Sequence, residues 1–163
     1  MNTRFTTQRI YTRSNGMRNT FGNFVCLYCH NFVSAETAIS GVHNRNHCPY
    51  CLSSRHLDLF EAGDRLSACK ARMKPVALTL KHSIRKYARP GDGELMLVHV
   101  CEECGKVSIN RIAADDVNEQ VLGVLRASGA LESGLRRVLA ENGITPLAMA
   151  DWPAVMRRLF GLN

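Results

Sequence analysis

Long apolar runs are missing from this chain of 163 residues. No stretch approaches the roughly 18 consecutive apolar residues of a membrane-crossing helix, which excludes a spanning helix. The N-terminal region carries arginines but no apolar segment of about 7–15 residues, so no secretory leader is legible. Acids are also missing over two windows. None precedes Glu36, and none lies between Arg65 and Gly91, where eight Lys or Arg fall. Ten of the fourteen acids come after Gly91, while the formal charge of the whole is +7. Apolar residues are sparse from 23 to 56, so this stretch cannot bury a core unaided. Overall composition, 45% hydrophobic and 21% charged, is that of an ordinary globular protein.

Cysteine is what the chain does have. There are seven, and six fall into three CxxC pairs. Without a leader the expected setting is the reducing cytoplasm, where paired cysteines are metal ligands or redox centres rather than disulfides. Cys26, Cys29, Cys48 and Cys51 give C-x2-C-x18-C-x2-C. Each CxxC turn sets two thiolates on a tight knuckle, and two facing knuckles complete a closed tetrahedron for zinc. The third pair, Cys101 and Cys104, needs partners, and Cys69 is the one remaining cysteine. His99 lies two residues before Cys101, so on a strand both point to one face. A second site of Cys69, His99, Cys101 and Cys104 follows, with His82 and His47 as rival fourth ligands. The expected cofactor is Zn²⁺, two per chain. With three or four thiolates on each ion, the holo charge falls to about +4.

Two strings invite other readings. Cys26-Leu-Tyr-Cys29-His30 matches a haem-attachment motif, but that chemistry needs export. Cys48-Pro-Tyr-Cys51 matches a redox dipeptide motif. A redox pair should open a long helix after a buried strand, whereas this one follows polar HNRNH.

Residues 1–22 read as a basic flexible arm (Arg4, Arg9, Arg13, Arg18), with a targeting segment as the alternative. Val76–Leu80 and Leu95–Val100 read as strands, with Pro90-Gly91-Asp92-Gly93 as a turn. After Asn110 the pattern turns helical. Asp116 can cap a helix with Glu119 three residues on, and Gly129 ends it. A second stripe runs over Leu131, Leu135, Val138 and Leu139 to Asn142-Gly143. Thr145-Pro146 starts a third short helix, and Trp152-Pro153 leads into a last turn. The expectation is an α+β protein: a small β-rich zinc-ribbon or knuckle domain with two zinc sites over 23–114, then a short helical C-terminal extension over 115–163.

Asn44-Arg45-Asn46-His47 beside Cys48 is the most unusual string. These side chains can brace the thiolates by hydrogen bonds, grip phosphate through Arg45, or line a catalytic pocket. Asn110-Arg111 and Asp115-Asp116 follow the third knuckle and can pack against the first site, or the two aspartates can simply cap a helix.

At these residues the chain resembles the bacterial RNHCP-domain family, named for the string standing here as Arg45-Asn46-His47-Cys48-Pro49. The resemblance runs from about Phe24 to Asp116. It takes in the CxxC at Cys26, Asp58, Gly63-Asp64-Arg65, Cys69, Met73-x-Pro75, His99-x-Cys101-x-x-Cys104 and Asn110-Arg111. It implies a bacterial, cytoplasmic setting and a second metal site drawn from Cys69, His99, Cys101 and Cys104. It adds no activity.

The favoured function is non-enzymatic: a zinc module docking on RNA or the ribosome. Arg45, Arg65, Lys70, Arg72, Lys74, Lys81, Arg85, Lys86 and Arg89 would supply charge, and Tyr28, Phe32, Tyr50 and Tyr87 could stack on unpaired bases. Asn44, Asn46, His47, Asn110 and Arg111 would support the metal ligands. The alternative is an adaptor whose residues 115–163 hold a protein partner. A lesser alternative is an HNH-like, metal-dependent nuclease built on His43-Asn44 and Asn46-His47.

Overall fold

A computed structural model describes residues 22–82 and 93–161. The arm, Gly22 apart, and Arg85, Lys86, Tyr87 and Arg89 lie outside the described residues, as does most of the turn at Pro90. The elements in chain order are β1 (Phe24–Val25), β2 (Phe32–Val33), α1 (Thr37–Ser40), β3 (Ser54–Arg55), β4 (Arg72–Lys81), β5 (Glu94–Cys101), β6 (Val107–Arg111), α2 (Asn118–Ser128), α3 (Ser133–Glu141), a 3₁₀ turn (Met149–Asp151) and α4 (Trp152–Phe160). The class is α+β. β1 and β2 pair alone, and β3-β4-β5-β6 form an antiparallel sheet in that order. Among the described residues no helix is long and apolar enough to cross a membrane.

β5 is central, and its run Leu95–Val98 is buried throughout. Alternate residues of a strand face opposite ways, so a continuous apolar run needs cover on both sides. Leu95 and Leu97, with Leu78 of β4, meet Val121, Leu122 and Leu125 of α2 and Val155 of α4. Val98, with Ala77 and Val107, meets Leu139 of α3. The helices after Asp116 therefore complete the core of the sheet from both faces.

Three expectations shift. α2 starts at Asn118 with Val117 at the cap position and no side-chain cap; Asp116 is engaged elsewhere. Thr145-Pro146 starts no helix. The Thr145 carbonyl accepts the Thr79 hydroxyl (2.8 Å), and Leu147 N–H donates to the Leu78 carbonyl (2.8 Å), so the segment covers the open edge of β4. Trp152-Pro153 opens a nine-residue helix, with Pro where its missing N–H is harmless.

Candidate metal centres

The three CxxC turns share one backbone construction. In each, the N–H of the residue after the second cysteine donates to the carbonyl of the first: His30 to Cys26 (3.0 Å), Leu52 to Cys48 (2.8 Å), Gly105 to Cys101 (3.0 Å). The N–H of each first cysteine donates onward to Asn31, Ser53 and Lys106, at 2.9–3.0 Å. The residue after each second cysteine is left-handed: His30 φ 60°, Leu52 φ 57°, Gly105 φ 72°.

His56 and Cys69 repeat this construction across a break in the chain. Lys70 N–H donates to the His56 carbonyl (3.1 Å), His56 N–H donates to the Ala71 carbonyl (2.9 Å), and Lys70 has φ 49°. It is a knuckle opened between its two ligands, with His56 in the place of the first cysteine. The excursion between them is tied by Asp64, whose carboxylate accepts the N–H groups of Leu59, Phe60, Glu61 and Leu66 (2.8–3.0 Å). Burial raises the Asp64 pKa, but these bonds outweigh it and draw it down to about 2.

The knuckles meet crosswise in pairs. Cys26 Sγ lies 3.6 Å from Cys51 Sγ, and Cys29 Sγ 3.5 Å from Cys48 Sγ. In the second group Cys69 Sγ lies 3.6 Å from Cys101 Sγ, and Cys104 Sγ 3.3 Å from His56 Nδ1. A tetrahedron with Zn–S of about 2.3 Å has edges near 3.8 Å. Cys26/Cys29/Cys48/Cys51 and His56/Cys69/Cys101/Cys104 can each hold a metal ion, and thiolate and imidazole donors at these spacings fit zinc.

The free thiols are held apart in acidity. Burial pushes Cys48 far above the ordinary thiol range, and moves Cys51 and Cys69 the same way. It carries Cys104 to about 11. Burial acts on Cys29 too, but hydrogen bonds from Asn31 and the neighbouring thiols outweigh it, and the pKa falls to about 6. The Asn31 amide is 3.3 Å from that sulfur.

His99 is not the fourth ligand. It is fully buried; its Nε2–H donates to the Leu52 carbonyl (2.7 Å), and its Nδ1 accepts from the Asn110 amide (2.9 Å). Burial first, then the neighbouring His47, hold its pKa down at about 3, so the ring is neutral with both nitrogens committed. It braces the second knuckle through Leu52, which is itself part of the main core. His82 stands beyond Lys81, at the opposite end of β4 from Met73, the register partner of Cys101. His56, five residues past Cys51, has no spacing signal in the sequence.

The Arg45–His47 string closes on Asp115 and Asp116. Arg45 Nη1 reaches both Asp115 oxygens (2.7 and 2.8 Å), its Nη2 reaches Asp116 (3.3 Å), and its Nε donates to the His47 carbonyl (3.1 Å). His47 Nε2 is 2.9 Å from both Asp116 oxygens, and Ala113 N–H donates to the same carboxylate (2.8 Å). Asp116 is thus a buried clasp between the second knuckle and the entry to α2, not a helix cap.

Arg45, its side chain fully buried, and Arg65, only 1% exposed, are interior groups instead of phosphate contacts. Arg65 meets Asp58 (3.2 Å) and the Asn44 carbonyl (2.8 Å). Asn44 packs so closely on Gly63 (φ 89°) that a Cβ there would lie 2.5 Å from its amide nitrogen. Arg111 does not support a ligand; it lies exposed at the end of β6, paired with Glu94 (3.1 Å). Asn46 offers its carbonyl to Ser54 and Arg55, while its side chain makes no bond to a cysteine. Lys70 is half-buried; Lys74 and Lys81 are exposed. Arg72 lies over the Tyr28 ring at 3.5 Å.

With this geometry in hand, a family model described as the RNHCP domain matches residues 21–122, more than half of the chain. No curated protein and no solved structure shows a significant match.

Proposed function

This chain belongs to the RNHCP-domain family, and from that premise we propose that it is a zinc-binding protein whose two centres hold a basic, aromatic surface for single-stranded RNA, free or in the ribosome. The observation that carries the reading is the surface of the first centre. Tyr28 and Tyr50, in the turns of its two knuckles, are 54% and 50% exposed, and Phe32 on β2 is 62% exposed. Rings held out by a rigid metal knuckle lose little entropy on stacking, and base–aromatic stacking contributes about 1–3 kcal/mol per base. Cations stand beside them. Arg55 and Arg72 are direct partners across β3 and β4, where like charges repel unless an anion lies between, and Lys70 is within the field of Arg55. Lys74 and Arg72 share only the exposed Glu102. The helices of 115–163 spend most of their apolar stripes on the sheet, and leave Val138, Met149 and Phe160 as the large apolar side chains still exposed.

The test is fluorescence anisotropy of a labelled, unstructured RNA with the zinc-loaded protein over a salt series. Binding should weaken with salt, with a log–log slope of about −0.7 per phosphate contacted. Tyr50→Ala and Phe32→Ala should each weaken it by roughly 5–150-fold with zinc content unchanged. Lys74→Ala should make the slope shallower. No binding at low salt would refute the reading.

A further inference from the structure

A cavity of about 240 Å³ opens behind the second centre, between the 55–62 segment and β6. It is smaller than the roughly 300 Å³ at the lower end of small-molecule pockets, which suits one planar ring. Its apolar walls come from Leu57, Leu59, Met73, Val107 and Ile109. Several of its polar groups are underused. Asn46, a residue 91% buried, lines it, and its side chain has no hydrogen-bond partner among the described residues. Asn110 gives its amide N–H to His99 and keeps its carbonyl oxygen for the cavity. The Ser108 hydroxyl has only a weak contact with the Met73 sulfur, at 3.8 Å.

Polar atoms at a cavity wall gain from a ligand that pairs them, and here the Asn46 amide and the Asn110 carbonyl oxygen are both uncommitted. A primary amide matches a nucleobase edge that offers one donor beside one acceptor; adenine's amino group and ring nitrogen are the standard partner. The Asn110 oxygen adds an acceptor for an amino hydrogen. At the mouth Phe60 is 70% exposed and free to stack. Arg55 and Lys106 line the same cavity and make no salt bridge among the described residues, so a phosphate has two cations to meet. Two acids, Asp58 and Glu61, line the cavity as well. Asp58 is held by Arg65, and Glu61 is exposed. Asn46 and Arg55 also border a small cleft with Leu27, Tyr28 and Arg72, so the cavity adjoins the aromatic surface.

We propose that this cavity is a nucleotide pocket that receives one unstacked adenine, with Asn46 reading the base edge, Phe60 covering the ring and Arg55 and Lys106 meeting the phosphate. As base selectivity, it rests on the RNA reading above.

The experiment compares oligoadenylate with oligouridylate on the zinc-loaded protein by anisotropy, alongside AMP and UMP titrated into labelled protein with the side-chain amides followed by NMR. Wild type should favour adenine by roughly 5–150-fold, the 1–3 kcal/mol of a bidentate pair. AMP should shift the Asn46 amide and UMP should not. Asn46→Ala and Asn46→Asp should erase the preference while leaving oligouridylate binding and zinc content as they were. Phe60→Ala should weaken AMP binding. Equal binding of the two oligomers, or a preference that survives Asn46→Ala, overturns the pocket and spares the RNA surface. AMP shifts without any oligomer binding keep the pocket and overturn the surface. Neither signal overturns both.

Discussion

Replacing His56 tests the second centre most directly. In metal-bound small domains of this kind zinc contributes roughly 10–16 kcal/mol, so one of four ligands carries about 3–4 kcal/mol, or two to three decades of affinity at about 1.4 kcal/mol each. His56→Ala should therefore leave one tight zinc and one weakened by about 10²–10³-fold. His56→Cys should restore two tight ions, because His56 occupies the place that Cys26, Cys48 and Cys101 hold in the other knuckles. His99→Ala is the contrasting variant. It strips the Leu52 carbonyl and the Asn110 amide of a buried partner, for a loss of about 2–4 kcal/mol of stability, yet both ions should remain. Elemental analysis gives the stoichiometry and competition with a chromophoric chelator the affinities. Two tight ions in His56→Ala together with one in His99→Ala would refute the assignment.

Four further outcomes follow from the same geometry. Asp116→Ala should lower stability by about 2–4 kcal/mol in denaturant melts, since it leaves His47 and the Ala113 N–H buried without their acceptor and Arg45 with Asp115 alone; a change under about 1 kcal/mol would contradict that clasp. Leu52→Gly relieves a left-handed leucine, worth about 1 kcal/mol, but removes a fully buried side chain worth about 2–5 kcal/mol, so melting temperature should fall. Zinc affinity should strengthen as pH rises from neutrality, because burial keeps Cys48, Cys51, Cys69 and Cys104 protonated there and each must lose its proton to bind; chelator competition at several pH values that shows no trend would count against it. Stripping the metal should abolish hydrogen-exchange protection at the His30, Leu52, Lys70 and Gly105 amides. Most helical circular dichroism should survive, because α2 and α4 rest on Leu78 and Leu97 rather than on sulfur.

The sequence showed the parts of this architecture that are periodic or closely spaced. The first centre could be read because its four cysteines come in two pairs of fixed spacing. The two long strands and the positions of α2 and α3 followed from apolar periodicity, as did the class. β3 and β6 escaped because one is two residues long and the other, Val107–Arg111, alternates over only two apolar positions, Val107 and Ile109. The fourth ligand escaped because strand periodicity favours His99 on geometry alone. What decides against it is a carbonyl 47 residues away and an amide on the next strand, which no local pattern encodes. Arg45 and Arg65 were read as surface cations for a similar reason: their carboxylate and carbonyl partners lie far along the chain or in an irregular loop.

The opened knuckle shows that a pair of backbone hydrogen bonds, not the two letters between ligands, sets the donors side by side. A loop as long as 57–68 can be threaded through such a pair and still return the second donor to its post. That loop forms one wall of the cavity behind the ion, so lengthening or recasting it could change what the wall recognises while leaving the metal untouched.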